Sequence, residues 1–279
     1  MSMLANITTG QSNAGIRMVL CGMEKMGKTT LACNSPGALL IPTEVGFGSV
    51  TAARVPLIER WDILVQTVQE ITAYANAGQF PYKSLVFDSG TAIERLIHDY
   101  VIFCDKSSNQ GQNKNVTMAS AHGGFGKAYD MANSYYVQFL AMLDYLADKK
   151  GINIIMTAHV FSSEIVDPTV GQYNTWDLLL HSPKNNKTYG KREITTQWAD
   201  VIGFLYEPLY LIEHEKSGTS RGISQNKGRM LAVSRTPSYV AGNRFDLTDE
   251  IAIPAPPENG WNSFADALYK AKGIDVYCR

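Results

Sequence analysis

Cysteine is scarce in this sequence of 279 residues, and its four copies are scattered at Cys21, Cys33, Cys104 and Cys278. No two of them form a Cys-x-x-Cys pair, and none has a histidine partner at metal-ligand spacing. The pattern therefore excludes the usual signatures of a structural zinc site and of a disulfide framework. We expect ordinary thiols in a reducing compartment.

Net charge and long apolar runs are also lacking. The formal charge is -1 at pH 7, so the chain has no global basic footprint of the kind found in dedicated duplex-DNA binders. Any contact with nucleic acid must therefore be local. No apolar run is long enough to span a bilayer, and the N-terminal residues lack the basic and apolar segments of a secretion signal. We expect a soluble, cytoplasmic protein that does not bind a membrane.

Short apolar runs alternate with helical periodicity along the chain, which is 45% hydrophobic and can bury a sizeable core. Four runs that end in loops or polar residues predict buried strands at residues 16–21, 38–42, 83–89 and 152–159. Apolar positions at three- and four-residue spacing predict helices at residues 57–77, 92–104 and 129–149. This alternation is typical of an α/β fold with a central, mainly parallel sheet flanked by helices.

The remaining segments give weaker patterns. Two long polar stretches predict surface loops of a length that is often functional, at residues 105–127 and 160–192. Further apolar runs predict strands at 200–206, 209–213 and 229–234, and a terminal helix at 261–272. We expect a polar lead at 1–15, one catalytic domain at 16–250, and a C-terminal tail with a short helix at 251–279.

The decisive motif is Gly22-Met23-Glu24-Lys25-Met26-Gly27-Lys28-Thr29, which satisfies G-x-x-x-x-G-K-[ST] in full. In such a P-loop, backbone N–H groups cradle phosphates, the lysine ammonium neutralises β- and γ-phosphate charge, and the Thr hydroxyl ligates Mg²⁺. A predicted strand before the motif and a predicted helix after it supply the context that it requires. The sequence therefore predicts an ATP·Mg²⁺ site from Gly22 to Thr30, in which Lys25 either contacts phosphate or is solvated.

Three polar residues end the other predicted parallel strands. Asp88 would lie beside Mg²⁺ as its second protein ligand, with Ser89 near a metal-bound water, or it would simply cap the next helix. Glu44 would polarise the attacking water, or it is a surface glutamate. His159 would bond the γ-phosphate and report it to the following loop, or it has a structural role. We therefore predict Lys28, Glu44 and His159 as the catalytic residues.

Positive side chains later in the chain suggest two further roles. A positively charged finger for a neighbouring subunit's nucleotide could come from Lys191, Arg192, Arg229, Arg235 or Arg244, or these are surface charges. Lys184, Lys187, Lys191 and Arg192, with the nearby Tyr189, form the best basic and aromatic patch for single-stranded DNA. A solvated loop is the alternative interpretation of the same residues.

The order of P-loop, Glu44, Asp88 and His159 at successive strand ends resembles the RecA-like ATPase core. More closely, the chain is similar to phage-encoded RecA-like ATPases grouped as an AAA-type domain, some of which act in single-strand annealing or recombination. The segments that carry this likeness, between about residues 16 and 247, are GMEKMGKTTLA, PTEVG, LVFDS, GGFGKAYD, NIIMTAH and AGNRFDL. The resemblance implies a RecA-like P-loop core, assembly into rings or filaments, and the use of ATP to handle single-stranded DNA.

In RecA-like proteins, the segments after the third and fourth strands tend to face the DNA axis of the assembly. The resemblance therefore also brings in the lysines of the two long polar stretches, including Lys106, Lys114 and Lys127, which would make DNA binding salt-dependent. Two other functions stay open. One is a nucleotide-dependent assembly or loading module that works through a protein partner without DNA. The other is a small-molecule kinase, against which Glu44 and the absence of an arginine-rich lid both count.

Overall fold

The structure is a computed structural model, and it describes residues 14–183, 189–214, 219–224, 228–248 and 250–277. Its strands are β1 Arg17–Gly22, β2 Ala38–Pro42, β3 Ala53–Arg54, β4 Ser84–Asp88, β5 Asn153–Ala158, β6 Val160–Asp167, β7 Gly171–Leu178, β8 Val201–Tyr206, β9 Leu209–His214, β10 Thr219–Ser224, β11 Arg229–Ala232, β12 Gly242–Asn243 and β13 Ile251–Ile253. Its α-helices are α1 Lys28–Cys33, α2 Trp61–Asn76, α3 Gly90–Phe103, α4 Lys127–Lys150, α5 Lys191–Trp198 and α6 Trp261–Lys272.

A nine-stranded sheet forms the centre of the fold. Its order is β13-β11-β8-β1-β5-β4-β2-β3, and β12 pairs with β8 beside this path. The strands from β8 to β3 run parallel, whereas β11, β12 and β13 pair antiparallel. The sequence prediction of an α/β fold with a mainly parallel central sheet flanked by helices is therefore confirmed.

Alternate residues of the central strands enter two separate cores, because successive side chains of a strand point to opposite faces. In β4, Leu85 and Phe87 pack with α2, α3 and α4, while Val86 packs on the other side with α1 and α6. Both faces are thus covered by helices. This explains why these strands are continuous apolar runs in the sequence rather than alternating ones.

The C-terminal residues are part of the domain core. We expected a tail from residue 251, but β13 pairs with β11 inside the main sheet. Helix α6 buries Trp261, Phe264 and Leu268 against the face that also holds α1. Each of these side chains removes a large apolar surface from water, which contributes to stability.

The second long polar stretch contains regular structure, contrary to our prediction of a loop. Residues Val160–Asp167 and Gly171–Leu178 form an antiparallel hairpin, in which Val160 pairs with Leu178 and Asp167 with Gly171. The hairpin is a separate two-stranded sheet, and most of its residues are at least partly exposed. The sequence concealed it, because the apolar residues of the first strand occur as adjacent pairs, Val160-Phe161 and Ile165-Val166, and not in the alternation that identifies a half-buried strand.

The first long polar stretch is only partly a surface loop. Two short 3₁₀ helices, Lys106–Ser108 and Ala121–Gly123, interrupt it, and Ser108 and Ala121 are buried. Helix α4 follows and covers the sheet over 24 residues. Among the residues that the structure describes, no helix is both long and apolar enough to cross a membrane.

Candidate active site

Four parallel strands deliver the predicted site residues to one edge of the sheet. In the order β1-β5-β4-β2, the P-loop follows β1, His159 follows β5, Asp88 ends β4 and Glu44 follows β2. The registers align Cys21 with Ala158 and Pro42 with Asp88. Because the carboxyl ends of parallel strands lie at the same edge, residues far apart in sequence meet there.

The P-loop needs its two glycines for both conformation and space. Gly22 has φ +148°, and a Cβ there would lie 2.3 Å from the carbonyl oxygen of Leu205. Gly27 has φ +84°, and a Cβ there would lie 2.3 Å from Nη1 of Arg229. A side chain at either position would therefore be strained; at Gly22 it would also meet fixed backbone, and at Gly27 it would displace the Arg229 side chain. Helix α1 begins at the next residue, Lys28, so its free N–H groups face the loop.

The side chain of Lys28 lies folded over the P-loop. Its Nζ donates hydrogen bonds to the carbonyl oxygens of Gly22 at 2.9 Å and Met23 at 2.8 Å. Burial lowers the pKa of Lys28, and the negative charges of Asp88 and Glu44 partly offset that effect. The ammonium group is thereby held at the mouth of the loop, where a bound phosphate would replace the carbonyl contacts.

Asp88 joins the P-loop to the neighbouring strands. Its Oδ2 accepts a hydrogen bond from Thr29 Oγ1 at 2.9 Å, and its Oδ1 accepts one from Thr157. The backbone carbonyl of Asp88 also accepts from the N–H groups of Thr43 and Glu44, at 2.8 and 3.2 Å. A hydroxyl and a carboxylate at this distance are suitable oxygen ligands for a single Mg²⁺ ion.

The same pair of oxygens fits an ion that is shared with phosphates. In the described part of the chain, no cluster of three or more His, Cys, Asp or Glu side chains could hold a metal on its own. Mg²⁺ in nucleotide sites is commonly held by one or two protein oxygens together with substrate phosphates. Ser89, which follows Asp88 through a cis peptide bond, accepts from the N–H of Ala92 and caps α3.

Glu44 and His159 form a direct contact. His159 Nε2 lies 2.9 Å from Glu44 Oε1, and Arg95 Nη2 lies 3.9 Å from Glu44 Oε2. The backbone N–H of His159 is fixed by Thr91 Oγ1 at 3.1 Å, on the first turn of α3. Nδ1 of His159 is buried and has no hydrogen-bond partner among the described residues. Each side chain is thus the hydrogen-bond partner of the other in this conformation.

The surroundings of Glu44 keep it ionised near neutral pH. Burial alone would raise the pKa of Glu44, but hydrogen bonds from His159 and Ser89 and the charges of His159 and Arg95 lower it below its usual value. A carboxylate must be ionised to accept a proton from water. Glu44 therefore has the protonation state, and a position near the P-loop, that a general base requires.

Lys191 is buried, contrary to the prediction of a DNA-binding surface. Its Nζ lies 3.5 Å from Glu94 Oε1 and 3.1 Å from His98 Nε2, and its side chain is 0% exposed. Burial lowers the pKa of Lys191 and raises that of Glu94, and burial together with the Lys191 charge lowers the pKa of His98 to about 3. Lys191 is thus an interior ion-pair partner and is not presented to nucleic acid in this conformation.

The other members of the predicted patch have different positions. Arg192 is only partly exposed and pairs with Asp177 at 2.8 Å and with Glu193 at 3.0 Å. Lys184 and Lys187 lie outside the described residues. No continuous basic surface is therefore formed by the described members of the patch.

Two of the predicted finger arginines also have partners within the chain. Arg229 donates to the carbonyl oxygens of Met26 in the P-loop at 3.1 Å and of Pro254 at 2.8 Å. Arg244 pairs with Asp200 at 2.9 Å, just before β8 and therefore at the opposite edge of the sheet from the P-loop. Arg229 thus supports the P-loop of its own chain.

Three residues near the site were missed in the sequence. Thr157 lies two residues before His159, so strand alternation could have placed it on the same side as His159. Thr91 and Arg95 lie on α3, one and two turns after Asp88, and no motif distinguishes them from ordinary helix residues. Their roles depend on how α3 is rotated against the sheet, which sequence patterns do not show.

Comparison with known proteins gives one family. The model of the family described as AAA domain matches residues 14–245, which covers every element from β1 to β12. No curated protein matches the chain.

We predict that Lys191→Ala lowers the free energy of unfolding by about 3–5 kcal/mol, because it leaves the buried Glu94 carboxylate without its cation. Urea unfolding followed by circular dichroism measures the change. Lys150→Ala, at an exposed position on α4, is the matched control and should change stability by no more than about 0.5 kcal/mol. Equal stability of the two variants would show that the ion pair does not hold α5 to α3.

Proposed function

The chain belongs to the AAA domain family, and from this premise we propose that it is a RecA-like ATPase that binds ATP·Mg²⁺ at residues Gly22–Thr30 and hydrolyses it. The family in general binds and hydrolyses nucleotides. The observation that carries the proposal is the contact of Thr29 with Asp88 at 2.9 Å, directly beside a P-loop whose lysine lies over its mouth. Groups suited to bind phosphate and groups suited to bind a metal ion thus lie side by side.

Binding would use the groups already aligned at the edge of the sheet. Lys28 would exchange its two carbonyl contacts for phosphate oxygens, and the N–H groups at the start of α1 would bond the same phosphates. Thr29 and Asp88 would hold Mg²⁺, which supplies positive charge to offset the phosphates. Arg229 would keep the loop in shape through the Met26 carbonyl.

Hydrolysis would use Glu44 as the general base. Glu44 accepts a proton from the attacking water, and its lowered pKa keeps it ionised for that step. In the described conformation its Oε1 is occupied by His159, so Glu44 is not free to bind water through that oxygen. We infer that His159 turns to the γ-phosphate when ATP binds and thereby frees Glu44.

The position of His159 also suggests how nucleotide state would reach the hairpin β6–β7. His159 immediately precedes β6, and its backbone N–H is held by Thr91 on α3. At the other end of the hairpin, the backbone N–H of His181 donates to both oxygens of Glu94, at 2.9 and 3.1 Å. Both ends of the hairpin are therefore attached to one helix, which begins just after Asp88.

We predict that Glu44→Gln keeps ATP affinity but slows hydrolysis by about 10²–10⁴-fold, because glutamine fills the same volume and cannot accept the proton. Phosphate release measures turnover, and a fluorescent ATP analogue measures affinity. Glu70→Gln, on the exposed face of α2, is the control and should hydrolyse ATP like the wild type. A Glu44→Gln variant with wild-type turnover would remove Glu44 from the mechanism.

We extend the proposal to single-stranded DNA as the effector, in recombination, annealing or replication of the phage type, with the protein acting as a homo-oligomer. The resemblance to RecA-like annealing ATPases is the main support. Tyr189 adds to it, because its ring is 64% exposed and its carbonyl is fixed by Asn133 of α4 at 3.0 Å. The bases of a single strand stack on exposed rings, and its phosphates pair with exposed lysines, which here include Lys106 and Lys114.

We expect single-stranded DNA to raise the ATPase rate, and Tyr189→Ala to weaken DNA binding by about fivefold or more, since one stacked base contributes about 1–3 kcal/mol. Fluorescence anisotropy of a labelled oligonucleotide, at low and physiological salt, measures affinity. Tyr269→Ala is the control, because this ring is similarly exposed, at 60%, on the distant helix α6. An ATPase rate that single-stranded DNA does not change would instead favour an assembly module with a protein partner.

A further inference from the structure

Residues 122–127, here called the Phe125 knob, present one aromatic ring to solvent. Phe125 is 101% exposed, so its ring packs against nothing in its own chain. It has φ +55°, and every residue from His122 to Gly126 has a positive φ. A bulky residue is uncommon in this left-handed region. The backbone therefore turns the ring outward at a position where its own fold gains no contact from it.

The Phe125 knob is held in place by hydrogen bonds at its base. His122 Nε2 contacts the carbonyl oxygen of Val101 at 2.9 Å, and the N–H of His122 donates to the Asp105 carboxylate. The N–H of Gly124 donates to Ala121 at 3.0 Å, and that of Lys127 donates to Gly124 at 3.2 Å. A fixed base lets an exposed side chain bind without a large loss of conformational entropy.

An apolar pocket lies elsewhere on the surface, between the start of α2 and the outer face of α3. This α2–α3 pocket has a volume of about 560 Å³, and its apolar lining is Trp61, Leu96, Tyr100 and Phe103. Three carboxylates border it, those of Glu59, Asp62 and Asp99. Arg60 offsets Asp62, to which it bonds at 2.6 Å, and the positive charge of Arg95 partly offsets Asp99, so the three carboxylates still outnumber the two cations. The pocket is therefore hydrophobic inside and negatively charged at its rim.

The knob and the pocket complement each other in apolar character, size and charge. The pocket volume exceeds that of a phenylalanine ring, and both Phe103 and Phe125 expose aromatic surface. Lys127, exposed and two residues from Phe125, makes no ion pair with any described residue. A lysine beside an inserted ring would face the carboxylates at the rim, and such pairs fix the orientation of a contact.

We propose that the Phe125 knob of one copy of this chain inserts into the α2–α3 pocket of a second copy, with Lys127 facing Glu59 and Asp99. The contact is the anchor of a homo-oligomeric interface. A single buried aromatic side chain often supplies much of the binding energy of an interface, while surrounding contacts exclude water. Because the two surfaces differ, each copy can give a knob and receive one, which generates rings or filaments.

The proposal deepens the homo-oligomer part of the proposed function, and it does not depend on ATP hydrolysis. A stacked DNA base is the competing binding partner of Phe125, since an exposed ring with a nearby lysine also suits single-stranded DNA. The second copy is favoured because the same chain carries a pocket of matching character.

The test compares the mass of the wild type with that of Phe125→Ser, Lys127→Glu and Asp99→Lys by sedimentation equilibrium across a range of concentrations. We expect the wild type to self-associate and Phe125→Ser to weaken association at least tenfold. Each charge variant should weaken it, and the double variant Lys127→Glu/Asp99→Lys should restore it, because the pair is reversed. Val137→Ser, a half-exposed position on α4, is the control and should associate like the wild type.

Two further readouts make the outcomes distinct. Thermal unfolding and affinity for a fluorescent ATP analogue, measured on the same samples, should be unchanged in all variants, which separates this contact from folding and from the nucleotide site. Mixing Phe125→Ser with Asp99→Lys should give a 1:1 heterodimer, since one intact knob and one intact pocket remain. A monomeric wild type, or Phe125→Ser that associates normally, would overturn the proposal. If Phe125→Ser lost DNA affinity but kept the wild-type mass in sedimentation equilibrium, Phe125 would be assigned to DNA binding instead.

Discussion

The in-register pairing of parallel strands is the constraint on which the rest of the structure depends. Thr29 and Asp88 are 59 positions apart in sequence, and Glu44 and His159 are 115 apart, yet both pairs lie within hydrogen-bonding distance. Parallel strands need long crossover connections, which here contain the covering helices. The same helices bury both faces of the sheet, so the energy that stabilises the fold also fixes the edge where the polar residues meet.

Helix α3 links this edge to the hairpin. Its cap is Ser89, next to Asp88, and its first two turns present Thr91 and Glu94, which hold His159 and His181 at the two ends of the hairpin. Lys191 neutralises Glu94 inside the protein and so allows a carboxylate to serve as a buried anchor. Through these contacts, α3 connects the sheet edge that holds Asp88 to both ends of the hairpin.

Much of the fold could be predicted from the sequence, because the central strands and their helices have strong, uninterrupted patterns. Residues 38–42 and 261–272 were predicted with the bounds that the structure has, and the P-loop was predicted from a motif whose glycines have the positive φ angles that the loop requires. The hairpin was missed because the apolar residues of its first strand occur as the adjacent pairs Val160-Phe161 and Ile165-Val166 and not in alternation. The burial of Lys191 could not be foreseen, because its partner Glu94 lies 97 positions away and the pairing depends on how α5 packs against α3.

The central claim is that the edge formed by Lys28, Thr29, Asp88 and Glu44 turns over ATP. The most direct test is phosphate release from ATP by the purified chain, with and without Mg²⁺, compared with Lys28→Ala. The account predicts Mg²⁺-dependent release by the wild type and none above background by Lys28→Ala, because the charge that binds the β- and γ-phosphates is gone. Equal release by both proteins would contradict it, as would a wild type that binds no nucleotide.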